Sequence, residues 1–327
     1  MTKPKIVFMG TPDFAVESLR ALHEKGYNIV AVVTMPDKPA GRGYKLQFSP
    51  VKQYALENNL PLLQPEKLKD ETFIAELKAL RADLQIVVAF RMLPEALWSM
   101  PPLGAFNLHA SLLPQYRGAA PINHAVMNGE TETGITTFFL THEIDTGNII
   151  LQKKIPIEPS DNAGTMHDKL MCAGSKLVIE TVDLILSGKV AGTPQAQCTT
   201  LKFAPKIFKE NCKIDWSKNA ADLHNFVRGL SPYPAAWTEL ENANGETLGL
   251  KIFETKVEFR QNQLSVAEPV EVAGTLLTDE KSYLKIVTGN GFLHLLSVQL
   301  AGKKRMTIDE LLRGFKITEW NIKTKMA

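Results

Sequence analysis

Four unbroken apolar residues at 6–9 open the chain and read as a short buried strand. Gly10-Thr11-Pro12-Asp13 turns the chain, and apolar residues at 14, 15, 16, 19 and 22 then keep helical spacing until Gly26. A second strand follows at 29–34. This strand–turn–helix–strand opening predicts a parallel sheet with helices on its faces. Further helices are expected at 51–58, 70–81 and 121–128, and buried strands at 84–90 and 104–109. A β-branched strand at 134–140 has a hairpin partner at 149–157. Ser160 or Asp161 opens a long helix that runs to about Leu186, before Gly188.

Two stretches break the rhythm. Residues 35–50 read MPDKPAGRGYKLQFSP, and their prolines and glycines predict a long loop, which composition alone reads equally as functional or as a solvated insertion. Residues 189–207 have weak periodicity and read as a linker. Beyond them a helix at 222–227 gives way to strands at 248–253, 270–277, 283–287 and 292–298, with a turn at Gly289-Asn290-Gly291. Thr307 to Glu310 fits a capping box. The expected organisation is an α/β domain at 1–188, a linker at 189–207 and a small, mostly β domain at 208–327, plausible as a barrel.

Composition narrows the picture. With 44% hydrophobic and 22% charged residues, the 327-residue chain is expected to fold, and disorder is excluded as its main state. Its 37 basic against 35 acidic residues give a net charge of +2, so a nucleic-acid surface must be local. Basic residues gather in three places: Lys38, Arg42, Lys45 and Lys52; Lys202, Lys206, Lys209, Lys213 and Lys218; and Lys303, Lys304, Arg305, Arg313 and Lys316. Three cysteines without a CxxC pair predict neither a disulfide framework nor a thiolate zinc site, and point to a reducing cytoplasm. No secretory apolar stretch and no run of about 18 apolar residues is present, so neither export nor membrane spanning is expected.

The candidate chemistry lies in Gly104-Ala105-Phe106-Asn107-Leu108-His109-Ala110-Ser111. On a strand, Asn107 and His109 project to one side, at the end where parallel sheets bind ligands. An amide can donate to a developing oxyanion, and an imidazole moves protons near neutral pH. Either residue alone is more often a simple hydrogen-bonding group at a strand end. Asp145, 36 positions beyond His109, supplies a carboxylate that could fix the imidazole's tautomer. Competing motifs fail: Gly10 does not begin GxGxxG, Gly41-Arg42-Gly43 lacks the GK[ST] of a P-loop, no GxSxG elbow exists, and the other histidines lack metal-ligand spacing, so no metal is expected.

Taken together, FNLHASLLPQYRG at 106–118 and DTG at 145–147 resemble the 10-formyltetrahydrofolate-dependent formyltransferase superfamily. FMGTPDFAVESL at 8–19, PDKPAGRGYKL at 36–46, FAPKIFKENCKIDW at 203–216 and HNFVRGLSPYPAAW at 224–237 are similar to the methionyl-tRNA formyltransferases within it. The resemblance implies a Rossmann-like domain with a mostly parallel sheet and a C-terminal OB-like β-barrel that binds tRNA. It implies that Asn107, His109 and Asp145 are catalytic. Phe90, Arg91, Leu93, Ser111, Leu112, Leu113 and Pro114 would contact the folate, and Lys38, Arg42, Lys45 and Lys206 the tRNA. Implied partners are 10-formyltetrahydrofolate and initiator methionyl-tRNA, with a cytoplasmic monomer and no membrane. The chain departs from the family at Phe90-Arg91, where many members carry Tyr-Gly. The alternatives are a formyltransferase acting on a sugar-nucleotide or purine-pathway amine, and a catalytically silent RNA-binding protein on the same scaffold.

Overall fold

The computed structural model describes residues 3–40, 45–188, 190, 192–197, 199–260 and 272–323. They form two compact units. The first comprises 1–121, 132–156 and 167–205, and the second 122–131, 157–166 and 206–327.

Elements run in the order β1 (Lys5–Gly10), α1 (Asp13–Glu24), β2 (Asn28–Val33), β3 (Lys38–Ala40), β4 (Lys45–Gln47), α2 (Pro50–Glu57), β5 (Leu62–Leu63), α3 (Glu71–Ala79), β6 (Leu84–Val88), α4 (Glu95–Trp98) and β7 (Ala105–His109). Then come β8 (Arg117–Gly118), α5 (Pro121–Met127), β9 (Glu132–Phe139), β10 (Ile149–Pro156), α6 (Ala163–Leu186) and β11 (Phe203–Ala204). The main sheet of the first unit has the order β10-β9-β7-β6-β1-β2-β5. Its strands from β7 to β5 pair in parallel, while β9 and β10 run antiparallel at one edge. Ile6, Val7, Phe8 and Met9 are all fully buried, because a parallel sheet is covered on both faces. The chain leaves β1 toward β2 and β5, then returns to β6 on the other side. The carboxyl ends of β1, β6 and β7 therefore border the crevice at the switch in strand order, where such sheets bind ligands.

The segment 35–50 differs from the loop expected of it. Lys38–Ala40 and Lys45–Gln47 pair as an antiparallel ladder. Strands of three residues are too short for alternation to show in sequence. The segment ends at Ser49, whose side chain accepts the Lys52 N–H at 3.0 Å and caps α2. Lys52 itself is buried and paired with Asp37 at 2.5 Å, so it leaves the set of free surface cations.

The expected linker is also more than a connector. Thr193 bridges to Ile149, and β11 pairs in parallel with β8.

The second unit contains α7 (Ala220–Leu230), β12 (Ala236–Asn242), β13 (Thr247–Phe259), β14 (Leu276–Thr278), β15 (Leu284–Val287), β16 (Gly291–Leu300), β17 (Met306–Thr307), α8 (Ile308–Leu312) and β18 (Trp320–Ile322). The strands pair antiparallel in the order β14-β15-β16-β13-β12-β18 and form a nearly closed barrel. Leu223, Val227 and Leu230 of α7 pack on its core beside Leu250, Ile252, Leu293 and Leu295. Of the strand expected at 270–277, residues 270–271 lie outside the described residues, and among the described ones it begins at Leu276, after Gly274 turns the chain at φ +93°. Among the described residues no helix is long and apolar enough to cross a membrane.

Candidate active site

Strand β7 delivers both central side chains. Val87 of β6 and Phe138 of β9 flank Asn107, and Thr136 of β9 lies beside His109. Side-chain alternation puts Asn107 and His109 on one face at the strand's carboxyl end. The imidazole is buried, and its Nε2 lies 2.9 Å from the Tyr116 carbonyl oxygen. A carbonyl can only accept, so Nε2 carries a hydrogen and donates it. Proton exchange is thereby left to Nδ1, which faces Asp145 Oδ2 at 3.8 Å. That separation exceeds a direct hydrogen bond but keeps a carboxylate beside any proton that arrives at Nδ1. The Asn107 carboxamide is half-buried and has no hydrogen-bond partner among the described residues. Its donors remain available to a ligand.

The surrounding backbone is held in conformations that serve this arrangement. Tyr116 sits at φ +60°, which turns its carbonyl to the imidazole, while its N–H donates to the Lys202 carbonyl at 2.6 Å. Asp145 sits at φ +56°, and its Oδ2 accepts the Gly118 N–H at 2.9 Å. Gly147 follows within a tight turn, where an added Cβ would lie 1.6 Å from the Phe139 carbonyl oxygen. Only glycine fits there.

The loop after β7 is pinned from several sides. Thr136 Oγ1 donates to the Ser111 carbonyl at 2.6 Å and accepts the Leu113 N–H at 3.3 Å. Gln152 Nε2 donates to the Leu113 carbonyl at 3.0 Å. Ser111 Oγ donates to the Gln115 carbonyl at 2.7 Å. Ser111 and Leu113 are thus buried in their own loop, and Leu112 packs against Gly134. Pro114 follows within the same loop.

At the end of β6, Phe90 and the buried Leu93 join the core packed under the strand ends. Arg91 donates to the Glu66 and Pro65 carbonyls at 2.9 and 2.8 Å, which ties this strand end to the segment before α3. Its Nε is buried without a partner, as is the Thr11 hydroxyl just beyond β1.

The predicted tRNA residues are spread more widely. Lys38 and Lys45 fall on the paired strands β3 and β4, and Arg42 lies outside the described residues. Lys206 belongs to the second unit, where its ammonium stands 5.4 Å from the Phe208 ring centroid. Sequence reasoning missed Tyr116 and Gly118, which act through backbone groups, and Gln195, which reaches the site from far along the chain. A backbone group has no side-chain signature. The Arg117-Gly118 pair inside PQYRG was the available hint.

An amide, an imidazole and a carboxylate stand at the strand ends of a Rossmann-like sheet, with no covalent nucleophile among them, an arrangement suited to oxyanion stabilisation and proton movement. The sequence matches formyl transferase over residues 4–182 and the formyl transferase C-terminal domain over 206–316. Methionyl-tRNA formyltransferase of Bacteroides thetaiotaomicron is 61% identical over 318 residues, covering 96% of this chain and 97% of that one. The same enzyme of Parabacteroides distasonis is 60% identical over 324 residues, covering 97% and 98%. The chain belongs to the formyl transferase family and, within it, to the methionyl-tRNA formyltransferases. An N-formyltransferase from Helicobacter canadensis, solved with folinic acid and dTDP-3-aminofucose, superposes with a TM-score of 0.61 at 20% identity, covering 93% of this chain and all of that one. At that identity it shares the fold.

Proposed function

We propose that the protein transfers the formyl group of 10-formyltetrahydrofolate to the methionine α-amine of initiator methionyl-tRNA, a cytoplasmic step of translation initiation. The observation that carries this reading is the unpartnered Asn107 carboxamide on the same strand face as His109, whose free ring nitrogen faces Asp145. A model α-amine titrates near about 7.7–8.0, so a usable neutral fraction exists near pH 7. The amine nitrogen bonds to the formyl carbon, and the carbonyl electron pair moves to oxygen. Asn107 donates to that oxyanion. His109 accepts the amine proton at Nδ1 with Asp145 beside it, then returns a proton to the departing folate nitrogen as the carbonyl re-forms. No covalent bond to the enzyme is needed.

The folate is the formyl-donating substrate. Phe90, Arg91 and Leu93, which follow the carboxyl end of β6, are proposed folate contacts. Ser111, Leu112, Leu113 and Pro114 are proposed folate contacts on the loop that Thr136 and Gln152 hold in place. Lys38, Arg42, Lys45 and Lys206 are proposed tRNA contacts. The relatives' names favour this acceptor over a sugar or purine-pathway amine.

The test is transfer of radiolabelled formyl from 10-formyltetrahydrofolate to initiator methionyl-tRNA, beside an elongator methionyl-tRNA. Label on the initiator alone is expected. No label on either tRNA, with folate still bound, would overturn the acceptor assignment.

A further inference from the structure

Gln195 makes four hydrogen bonds that no neighbouring residue duplicates. Its Oε1 accepts from Arg117 Nη2 at 2.6 Å and from Arg117 Nε at 3.2 Å. Its Nε2 donates to the Asp145 carbonyl at 2.7 Å and to the Gly147 carbonyl at 3.0 Å. A primary amide offers two acceptor sites and two donors, and here all four are used. The orientation is fixed by chemistry: rotating the amide by half a turn would set its NH2 against a guanidinium and its oxygen against two carbonyls. Arg117 is itself the residue before Gly118, whose N–H holds Asp145 Oδ2. The Gln195 side chain therefore joins the two backbone segments that aim the carboxylate, one through Arg117 and one through the turn at 145–147.

Its own position is anchored. Thr193 exchanges two backbone hydrogen bonds of 2.7 Å with Ile149, just beyond that turn. Farther along, Lys202 accepts the Tyr116 N–H, Gln115 Oε1 accepts the Lys202 N–H at 2.8 Å, and the Ala204 carbonyl accepts the Ala120 N–H at 3.1 Å. An added Cβ on Gly118 would lie 2.4 Å from the same Ala204 oxygen. The described residues between 193 and 204 thus strap both loops that carry the site.

We infer that Gln195 is a positioning residue for formyl transfer: it clamps the 145–147 turn to Arg117 and so holds the Asp145 carboxylate facing His109 Nδ1. The inference rests on the assignment of Asn107, His109 and Asp145 as the reacting site. Asp145 occupies a left-handed conformation that few non-glycine residues adopt, and such conformations persist only where the surroundings determine them. The two carbonyl acceptors taken by Gln195 lie at that residue and two residues beyond it.

The experiment is single-turnover formyl transfer to initiator methionyl-tRNA by the full-length protein and by Gln195→Met, Gln195→Glu, Asp145→Asn and the Gln195→Met/Asp145→Asn double variant. Gln195→Met removes both donors and both acceptors at similar volume. Gln195→Glu keeps the acceptors for Arg117 and removes the donors. Both single variants at 195 should slow the transfer step, since a misplacement of about 1 Å can cost on the order of 10²-fold. Binding constants for folate and tRNA should hold. In the Asp145→Asn background Gln195→Met should cost little more, because two residues acting through one interaction are not additive. An equal loss in both backgrounds, or a normal rate in Gln195→Glu, would overturn the inference. A normal rate in Asp145→Asn would instead overturn the site assignment beneath it.

Discussion

The two ring nitrogens of His109 have different surroundings. The difference is set by the Tyr116 carbonyl, which holds Nε2 and leaves Nδ1 toward Asp145. Asn107 is the opposite case, a donor that the fold leaves unmatched. Asn107→Ala should therefore lower kcat by roughly 10²–10³-fold, the usual cost of one oxyanion donor, with the thermal midpoint held. A matching fall in stability, read by calorimetry, would give the carboxamide a structural role instead. Gly118 couples the two kinds of role. Its φ of +124° and its contact with Ala204 exclude a side chain, and its N–H aims Asp145. Gly118→Ala should cost about 1–3 kcal/mol in chemical denaturation and should also slow turnover. Asn107, His109 and Asp145 were legible from sequence because the proposed reaction would act through their side chains, which carry a motif. The Tyr116 carbonyl, the Gly118 N–H and the Gln195 clamp were not, since backbone groups and long-range contacts have no local pattern.

The hairpin of β3 and β4 shows how an element can be held without a core of its own. At its base Lys52 Nζ meets Asp37 Oδ2 at 2.5 Å and stands 4.1 Å from the Phe48 ring centroid. Gln64 donates to Asp37 Oδ1 at 3.0 Å and to the Met35 carbonyl at 2.9 Å. Hydrogen bonds from Lys52 and then Gln64 hold the Asp37 carboxyl below the ordinary carboxylate range. A carboxyl depressed in the folded state stabilises it above its unfolded value of about 3.9, and that contribution fades as pH falls through the lower folded value. The base of the hairpin should thus stay fixed at neutral pH and loosen only in strong acid, which amide hydrogen exchange at 35–37 and 47–49 would report. Lys52→Met should raise KM for tRNA and leave KM for folate unchanged; a shift in the folate value alone would assign the pair to the other substrate. The sequence showed Lys52 as one more basic residue, since burial and pairing across 15 positions leave no trace in a local window.

At the scale of the whole molecule, a near-neutral chain must bind a polyanion through local charge. The main elements of both units were legible, because the switch from mixed helix and strand spacing to β patterning survives in the sequence. The make-up of the second unit was not: it gathers 122–131 and 157–166 with the C-terminal third. Asn123 donates to the Gly229 carbonyl at 2.8 Å and Arg228 to the Asp161 carbonyl at 2.9 Å, contacts that chain order hides. In this unit Lys209 and Lys213 stand 5.6 and 5.3 Å from the Trp237 ring centroid, and Lys206 lies beside Phe208. The aromatic rings constrain flexible ammonium groups on the surface and leave their charge exposed to an anion. Lys213 has Glu239 at 3.8 Å and is partly neutralised, so Lys206 and Lys209 should contribute more to tRNA phosphates. Each lost phosphate contact lowers the dependence of log affinity on log salt by about 0.7–0.9. Replacing Lys206, Lys209 and Lys213 together by Gln should therefore flatten that slope by about 2 to 3 and weaken tRNA binding most at low salt. kcat at saturating tRNA should hold, because none of the three is a reacting group. Filter binding across a salt series separates the possibilities: weaker binding with an unchanged slope would mean that Trp237 and Phe208 act as stacking surfaces for bases, with the lysines only supporting the rings.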